Sequence, residues 1–374
     1  MMMMRTDRIM PGRFPFTWHK LVIAGAIASC APAVTASALE PSSGQPTNIE
    51  WSIDREGSHS AGKVQLTIES RWGGNSQSVW SNDRPISDLQ GLSGAQLAGP
   101  TSQARFALLR DAGRLDCSGV AGNGTGHGSC SFSVDPRFVS YLQQHGMGTP
   151  TPHEAFTLTM SSVGRDLIDS MQEIGYARPT VDQLASMGIH GVSAEFVRGL
   201  AHSDYRLRSA DDLIAFRIHG VDLDYIRDMA AIGPKLQQLP ADDLVSLRIH
   251  GVTPEYVRQI AAIGPQFSNL SADDLINFSM HGARPELIRA YAAFTRGPLR
   301  PDDVVSMAIH GVSPDFLQQM AALGYRNLSA DDLVSLSIHG VSADFVRRLQ
   351  QNGMTRLSAD QLVRLRLAGF EPRR

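Results

Sequence analysis

The stretch Ser329-Ala-Asp-Asp-Leu-Val-Ser-Leu-Ser-Ile-His-Gly-Val-Ser-Ala-Asp-Phe-Val-Arg347 is one copy of a pattern that recurs through the C-terminal half of the chain. Each copy contains a His-Gly pair, and successive histidines are separated by 29, 31, 31, 29 and 29 residues. Self-similarity at a fixed period of this size is typical of stacked supersecondary units. The histidines are His190, His219, His250, His281, His310 and His339. The pattern therefore predicts a repeat protein.

Each unit of the pattern predicts two short helices joined at the His-Gly pair. The first helix begins as at Ser271, whose side chain caps orphan amides while Asp274 lies in the positive first turn. It ends as at Gly251, because glycine adopts the left-handed conformation without a steric penalty. The second helix begins at once, as at Thr253-Pro254-Glu255, with a cap, a proline and an acidic residue.

These start signals place helices along the whole C-terminal region. First helices are expected to start near residues 151, 180, 209, 240, 271, 300, 329 and 358, and second helices near 135, 164, 193, 222, 253, 284, 313 and 342. Since no single hairpin buries its apolar face alone, residues 135–374 predict an α-solenoid of about eight helical hairpins. The first helix of a unit carries apolar residues before the His-Gly pair, as at Leu244, Leu247 and Ile249.

Residues 39–134 predict a small antiparallel β domain that precedes the helices. Apolar and polar residues alternate through 49–53, 64–68 and 106–108, which is typical of half-buried strands. The predicted fold class is therefore α+β with two domains, in which the α-solenoid packs on the β domain or is tethered to it.

Two cysteines, Cys117 and Cys130, lie on further alternating strands that flank a glycine-rich stretch, residues 119–128. An even number of cysteines in an exported chain predicts a disulfide. We prefer the disulfide to a zinc site completed by His127, since zinc takes four ligands. A phosphate-binding loop would open a helix, whereas this stretch leads into a strand, so we expect a mobile turn. No metal or other cofactor is predicted.

The N-terminal segment predicts export. Four basic residues precede the apolar stretch Leu21–Val34, and small residues follow at Ala36 and Ala38, which is the pattern of a signal peptide over residues 1–38. The alternative is a lipid anchor at Cys30, which follows small residues as in bacterial lipoproteins. A membrane-spanning helix needs roughly 20 apolar residues, so we expect no transmembrane helix in the mature chain and a periplasmic or secreted location.

The charge of the chain argues against nucleic acid as a partner. The formal net charge is −3, and removal of residues 1–38, with four basic residues and one acidic residue, lowers it to −6. Nucleic-acid-binding domains are clearly basic. Only three of the 34 basic residues are lysines, so the surface presents guanidinium groups, which pair well with carboxylates and phosphates.

The six repeated histidines, which we call the histidine row, are the first candidate site. A histidine in the last turn of a helix complements the terminal carbonyls and the negative end of the helix dipole. We therefore interpret the row as structural turn residues. The alternative is a pH-responsive row, because histidine titrates near neutral pH. A metal site is not expected, since ligands on separate repeats do not converge on one ion.

Five arginines of the second helices, which we call the arginine row, are the second candidate site. They are Arg198, Arg227, Arg258, Arg289 and Arg347. Each follows an acidic residue three positions earlier, which places both side chains on one helical face. The row is either a set of solvated ion pairs or a stripe that binds another protein or an anionic envelope polymer.

Catalytic motifs do not stand out in this sequence. His153-Glu154 lacks the second histidine of His-Glu-x-x-His, and neither a Gly-x-Ser-x-Gly elbow nor a phosphate-binding loop with lysine is present. The leading hypothesis is an exported repeat protein that acts as an interaction or sensing scaffold in the cell envelope. The alternative is an envelope hydrolase or enzyme accessory with a site at the junction of the two domains.

The repeat Ile-His-Gly-Val-(Ser/Thr)-(Pro/Ala)-(Asp/Glu)-Phe-Val-Arg, together with Lys63-Val-Gln-Leu66 and Arg110-Asp-Ala-Gly113, resembles the extracytoplasmic C-terminal regions of bacterial antirepressor metallopeptidases related to β-lactam sensor-transducers. The resemblance would cover nearly the whole mature chain. It carries over no catalytic residue, since the peptidase residues of that family are absent here. It implies a sensor-side or accessory role.

Overall fold

A computed structural model describes residues 44–371 except 59–61, 74–75, 204, 206 and 208. In this part of the chain an antiparallel sheet is followed by an array of short helices, which confirms the predicted fold class. The predicted signal peptide, with Cys30 and Ala38, lies outside the described residues. Among the helices that are described, none has the length and apolar character needed to cross a membrane.

The N-terminal part of the structure is a six-stranded antiparallel sheet. Its strands are β1 (Asn48–Asp54), β2 (Lys63–Arg71), β3 (Gln77–Pro85), β4 (Ser102–Arg110), β5 (Gly113–Gly122) and β6 (Thr125–Val134). Neighbouring strands follow the order β3-β2-β1-β6-β5-β4. A short helix, α1 (Gly94–Ala98), lies between β3 and β4 in the chain.

The sheet buries one face, as the alternation predicts. Ile49, Trp51 and Ile53 of β1 are buried, whereas Glu50 and Ser52 between them are exposed. Successive side chains of a strand point to opposite faces, so a single period-2 pattern separates core from solvent. The same alternation in β2, together with Phe106 and Leu108 of β4, completes the core of the sheet, although Ala107 between them is also buried.

The predicted disulfide is confirmed. Cys117 of β5 lies directly opposite Cys130 of β6 in the strand register, and the two residues are bonded through their sulfur atoms. Because both thiols are consumed, they are not free to bind the zinc ion of the alternative interpretation with His127. The bond closes a short loop, which stabilises a folded domain by about 3 kcal/mol.

The prediction of a mobile turn over residues 119–128 is wrong. Strands β5 and β6 run through most of these glycines, and the turn between them consists of Asn123 and Gly124 alone. Both turn residues have positive φ, 54° and 85°. A two-residue turn of this kind matches the twist of the strands it connects, and Asn-Gly is its strongest sequence signal.

The glycines of β5 and β6 make room for the indole ring of Trp51. The Trp51 Nε1–H donates a hydrogen bond to the Ser118 backbone oxygen at 3.1 Å. A β-carbon at Gly128 would lie 2.1 Å from that oxygen and 2.7 Å from Trp51 Nε1. Glycine is therefore required here by the close approach of the neighbouring strand and ring.

The remainder of the described chain consists of α-helices and short connections. The helices are α2 (Pro136–Gln144), α3 (Pro152–Met160), α4 (Arg165–Ile174), α5 (Val181–Ile189), α6 (Ala194–His202), α7 (Ala210–His219), α8 (Leu223–Ala230), α9 (Ala241–Ile249), α10 (Pro254–Ala261), α11 (Ala272–Met280), α12 (Pro285–Phe294), α13 (Pro301–Ile309), α14 (Pro314–Ala322), α15 (Ala330–Ile338), α16 (Ala343–Gln351) and α17 (Ala359–Leu367). Odd-numbered helices from α3 onward are the first helices of the units, and even-numbered helices are the second helices.

The helices begin and end where the local signals predict. Ser271 Oγ accepts a hydrogen bond from the Asp274 N–H at 3.1 Å, and the Asp274 carboxylate accepts one from the Ser271 N–H at 2.9 Å. Gly251 has φ of 69°, in the left-handed region that ends a helix. These contacts depend on residues within one turn of each helix terminus, which is why sequence alone locates them.

Each first helix packs against the next first helix, and each second helix packs against the next second helix. The helices therefore form two layers with an apolar core between them. One cluster of this core includes Leu244, Leu247, Val257 and Ile260, and a second cluster lies in the last units around Phe345 and Leu362. Tyrosines of the second helices join successive units across this core. Tyr225 Oη donates a hydrogen bond to the Val252 backbone oxygen at 2.9 Å, and other tyrosines of the second helices make equivalent bonds.

Candidate functional site

The structure reveals a row of large apolar side chains on the surface of the first helices. Seven residues in the last turns of successive first helices have 51–66% of their surface exposed. We call this row the apolar ladder, and its members are Ile189, Ile218, Ile249, Met280, Ile309, Ile338 and Leu367. Scattered exposed apolar residues are ordinary, but these residues recur at one position of successive helices, which makes the row a candidate interaction surface.

Ile249 is apolar but does not belong to the buried face of α9. Leu244 and Leu247 are buried, whereas Ile249 is 57% exposed. At 3.6 residues per turn, Ile249 lies about 140° from Leu244 around the helix and therefore points away from the core. The repeat spacing places an apolar residue at this same position in each first helix, and the packing of the helices shows that this position is exposed.

The ladder belongs to one continuous stripe on each first helix, which we call the first-helix face. In α9 this stripe contains Asp242, Val245, Ser246 and Ile249, which fall within about 100° of arc. A second, half-buried apolar row runs beside the ladder at the position of Val245, one helical turn earlier. The other members of this inner row are Ala185, Ile214, Ile276, Val305 and Val334.

Exposed aspartates form a third row on the first-helix face, in the first turn of each helix. We call this row the aspartate rail, and its members are Asp182, Asp211, Asp242, Asp273, Asp302, Asp331 and Asp360. Among the described residues, no ion pair joins a member of the rail to a cation. Burial, followed by the charges of Asp273 and Asp242, raises the pKa of the neighbouring Asp243 carboxyl. Negative charge therefore accumulates at this edge of the face.

The histidine row lies directly beside the apolar ladder, at the C-termini of the first helices. The backbone of His250 caps α9, since its N–H donates to the Ser246 oxygen at 3.0 Å. Over the ranges that the structure describes, no hydrogen bond or ion pair to the side chain of a row member is found. By contrast, the ring Nδ1 of His145 lies 2.7 Å from the Tyr141 oxygen in another helix terminus. Five of the six row histidines are thus C-caps of their helices, whereas His219 is the last residue of α7 and Gly220 is its cap.

The turns that carry the histidines are held by side chains of the following unit. Ser279 Oγ donates a hydrogen bond to the His250 backbone oxygen at 2.5 Å, and Ser337 Oγ donates to the His310 oxygen at 2.6 Å. In a third unit Arg248 Nε donates to the Gly220 oxygen at 2.8 Å. These bonds fix the position of each turn relative to the next, so the ladder residues beside them are held in register.

The arginine row lies on the second helices and is largely paired with carboxylates. Arg227, Arg289 and Arg347 each form an ion pair with the acidic residue three positions earlier, as the spacing predicts. Arg258 lies 3.9 Å from Glu255 and 3.8 Å from Asp228 of the preceding second helix. Exposed pairs of this kind contribute little to stability.

The pairing of Arg198 differs from the expectation. Its guanidinium pairs with Asp166 on the preceding second helix rather than with Glu195. Arg198 and Asp166 belong to different units, so this pair depends on how second helices stack and not on spacing within one helix. Across the row, the partner carboxylates neutralise much of the positive charge that an anionic ligand would require.

The junction of sheet and helices is filled with side chains. Phe156 of α3 packs edge-on against Trp72 and Phe132, at ring-centroid distances of 5.3 and 5.2 Å. His153 also contacts Trp72, and burial lowers the pKa of its imidazole. This packing occupies the region where the alternative hypothesis places a hydrolytic site.

Polar groups at the junction serve to join the two parts of the chain. Arg84 Nη2 donates a hydrogen bond to the Met160 backbone oxygen at 2.7 Å, and Arg110 Nε donates to Ser162 Oγ at 3.0 Å. Asp88 pairs with both arginines. Burial, and next the neighbouring Arg110, lowers the pKa of Arg84, whereas Asp88 opposes this effect.

The exposed face of the sheet carries a shallow polar cleft with a volume of about 740 Å³. Glu50, Glu69, Arg105 and His127 lie along it, together with several serine and threonine hydroxyls. Charges of both signs are interspersed there. Within residues 44–371 as described, no group of three or more histidine, cysteine, aspartate or glutamate side chains is arranged to hold a metal ion.

No family model and no curated protein matches the chain.

Proposed function

We propose that the protein is an exported interaction scaffold whose first-helix face binds another macromolecule along successive repeats. The observation that carries this proposal is the apolar ladder, seven large aliphatic side chains at the surface in register. Burial of such side chains against a partner is favourable at roughly 25 cal/mol per Å² of apolar area removed from water. Repetition adds further strength, because each unit that engages raises the effective concentration of the next contact.

Two further features support the proposal. The disulfide between Cys117 and Cys130 is the kind of bond that persists in oxidising compartments outside the cytosol. The Ser279, Ser337 and Arg248 bonds to neighbouring turns hold the ladder in one arrangement before a partner arrives. Preorganisation of this kind lowers the entropy cost of binding. The resemblance to sensor-type extracytoplasmic regions fits the same role, in which recognition of a partner is the output.

The arginine row is the weaker candidate for the binding surface. Its members are paired with carboxylates, so a ligand would have to compete with Asp224 at Arg227 and with Glu286 at Arg289. We therefore place the recognition surface on the first helices and treat the arginine row as a control surface on the opposite layer.

The experiment compares capture of envelope proteins by three forms of the purified chain. One is the natural sequence, one carries Ile249→Ser, Met280→Ser and Ile309→Ser, and one carries Arg227→Glu, Arg258→Glu and Arg289→Glu. We expect a partner that the ladder variant loses and the arginine variant retains, with both variants equally helical by circular dichroism. The partner is then purified and its affinity measured directly. Capture that depends on the arginines, or on neither surface, would overturn the assignment to the first-helix face.

A further inference from the structure

We propose that the occupant of the first-helix face is a basic amphipathic α-helix, which lies along the apolar ladder with its cationic side chains toward the aspartate rail. This inference rests on the proposed function and names the chemical class of the partner. Three properties of the face support it: the aliphatic character of its two apolar rows, the spacing of the helices, and the position of the rail carboxylates, which form no ion pair among the described residues.

The two apolar rows contain only aliphatic side chains and methionine. The ladder consists of five isoleucines, one methionine and one leucine, and the inner row consists of isoleucine, valine and alanine. Proline-rich segments in the polyproline conformation dock on grooves lined by aromatic residues, whereas amphipathic helices lay their apolar face into hydrophobic grooves that need no aromatic residue. The composition of the face therefore favours a helical occupant.

The spacing of successive ladder residues also suits an α-helix. Successive ladder residues belong to neighbouring first helices that pack side by side, and packed helices lie about 8–10 Å apart. Two turns of an α-helix, seven residues, advance by about 10.5 Å. A partner helix can therefore contact each ladder residue in turn. It needs apolar residues at every seventh position and at intermediate positions three or four residues further on. Four consecutive ladder residues, Ile218, Ile249, Met280 and Ile309, correspond to about 21 residues of such a helix.

The carboxylates of the aspartate rail indicate that the partner helix is positively charged. Each rail aspartate lies seven residues before the ladder residue of its own helix, about 10 Å along the helix axis. A lysine or arginine side chain on the flank of a docked helix spans this distance because its long stem carries the charge outward. Like-charged repulsion along the rail is relieved when a cationic helix docks, which adds both affinity and orientation.

The first turns of α9 and α11 each carry two aspartates, Asp242 with Asp243 and Asp273 with Asp274, and no cation lies in the three residues before the cap of either helix. In four other units an arginine lies at the first-helix cap or within three residues before it, namely Arg178, Arg300, Arg326 and Arg356. Before α9 and α11 the corresponding segments are Gln237–Leu239 and Ser268–Leu270, which contain no cation. Burial, and after it the charges of Asp273 and Asp242, raises the pKa of the Asp243 carboxyl. We therefore place the centre of the docking surface on α9 and α11.

The test uses synthetic 21-residue peptides and the full chain. The first peptide carries leucines at positions 1, 4, 8, 11, 15 and 18 with lysines on one flank. The second has glutamate in place of each lysine. The third is proline-rich, with leucine at every third position. Binding is measured by fluorescence anisotropy at 50 mM and 500 mM salt, and light scattering records whether the chain is monomeric.

Two variants and one matched control accompany the peptides. The ladder variant carries Ile249→Ser and Met280→Ser, and the rail variant carries Asp242→Asn and Asp273→Asn. The control, Glu255→Gln with Glu286→Gln, removes the same number of carboxylates from the second helices. We expect the lysine peptide to bind at low salt, with at least a tenfold loss in both the ladder and rail variants and no change in the control.

The outcomes separate this inference from the proposed function. Ladder-dependent binding of the glutamate or proline-rich peptide would overturn the basic helix as occupant while leaving the first-helix face as the binding surface. A dimer that dissociates in the ladder variant would overturn it in favour of a second copy of the chain. Failure of the lysine peptide to bind, or binding that ignores both variants, would also overturn it. The proposed function fails separately, through capture of envelope partners that does not depend on the ladder.

Discussion

Asp111, in the turn between β4 and β5, caps helix α4 of the repeat array, since its carboxylate accepts a hydrogen bond from the Arg165 N–H at 2.7 Å. The cap position of α4 itself is Gly164, which has no side chain to offer. A β-carbon at Gly164 would lie 2.5 Å from Asp111 Oδ2, so glycine leaves the space into which the carboxylate reaches. The sheet thus supplies the capping group that the helix lacks.

The first prediction concerns this cap. Asp111→Ala should lower the free energy of unfolding by about 1 kcal/mol, because it removes a cap and the favourable charge at a helix N-terminus. Asp111→Asn keeps an acceptor oxygen and should lose less than half of that amount. Urea unfolding followed by circular dichroism measures both. Equal losses in the two variants would show that the hydrogen bond is not the source of the effect.

The second prediction concerns the glycine that faces Trp51. Gly128→Ala should destabilise the sheet severely, by roughly 3 kcal/mol or more, because the added carbon would be 2.1 Å from the Ser118 oxygen. Gly94→Ala is the matched control, since no atom lies within 4 Å of its added carbon. Tryptophan fluorescence during thermal unfolding reports on the sheet, because Trp51, Trp72 and Trp80 all lie in or beside its strands. Comparable midpoints for the two variants would contradict the close approach.

The third prediction concerns tyrosines that join neighbouring units. Tyr225 and Tyr256 donate hydrogen bonds to the Val252 and Ala283 backbone oxygens, both at 2.9 Å. Replacement of both tyrosines by phenylalanine should cost about 1–3 kcal/mol at pH 7 in total, since a net hydrogen bond contributes about 0.5–1.5 kcal/mol. Urea unfolding of the helical signal measures this loss.

The same tyrosines predict how stability changes in alkali. Burial raises the pKa of Tyr225 and of Tyr256 to about 12. The unfolded value is about 10, so folding favours the neutral phenol; the contribution is complete below about pH 10 and is lost as the pH rises toward 12. The double phenylalanine variant should therefore lose less stability than the natural chain between pH 10 and 12. Parallel pH profiles would contradict this assignment.

The fourth prediction concerns the disulfide. Replacement of Cys117 and Cys130 together by alanine should lower the stability of the sheet by about 3 kcal/mol, because the open loop gains entropy in the unfolded state. Reducing agent should produce the same loss in the natural chain and none in the variant. If reduction leaves the unfolding midpoint of the natural chain unchanged, the loop constraint contributes nothing measurable.

The fifth prediction decides between the two interpretations of the histidine row. His250, His281 and His310 replaced together by asparagine should change the free energy of unfolding by no more than about 0.5 kcal/mol, the range of surface substitutions without special contacts. The variant should also retain the stability profile of the natural chain between pH 5 and 7. A profile that flattens in the variant would favour the pH-responsive row and refute the role of these residues as backbone caps alone.

Most of the helical architecture follows from signals within single units. Ser271, Asp274 and Gly251 each act on backbone groups within one turn of a helix terminus, so their effect does not depend on distant parts of the chain. The same holds for the alternation of Ile49, Trp51 and Ile53 in the sheet. Contacts between units were less accessible to sequence reasoning, as the partner of Arg198 shows.

The sequence by itself determined the repeat, the helix termini, the antiparallel sheet and the disulfide pair, because each depends on local backbone chemistry or on strict periodicity. Only the tertiary structure decided which apolar residues stay at the surface. Leu247 and Ile249 are both aliphatic and two residues apart, yet one is buried and the other is 57% exposed. The stacking of neighbouring helices covers one side of each first helix and leaves the other side exposed. The hydrophobicity of a residue does not by itself show on which of the two sides it lies.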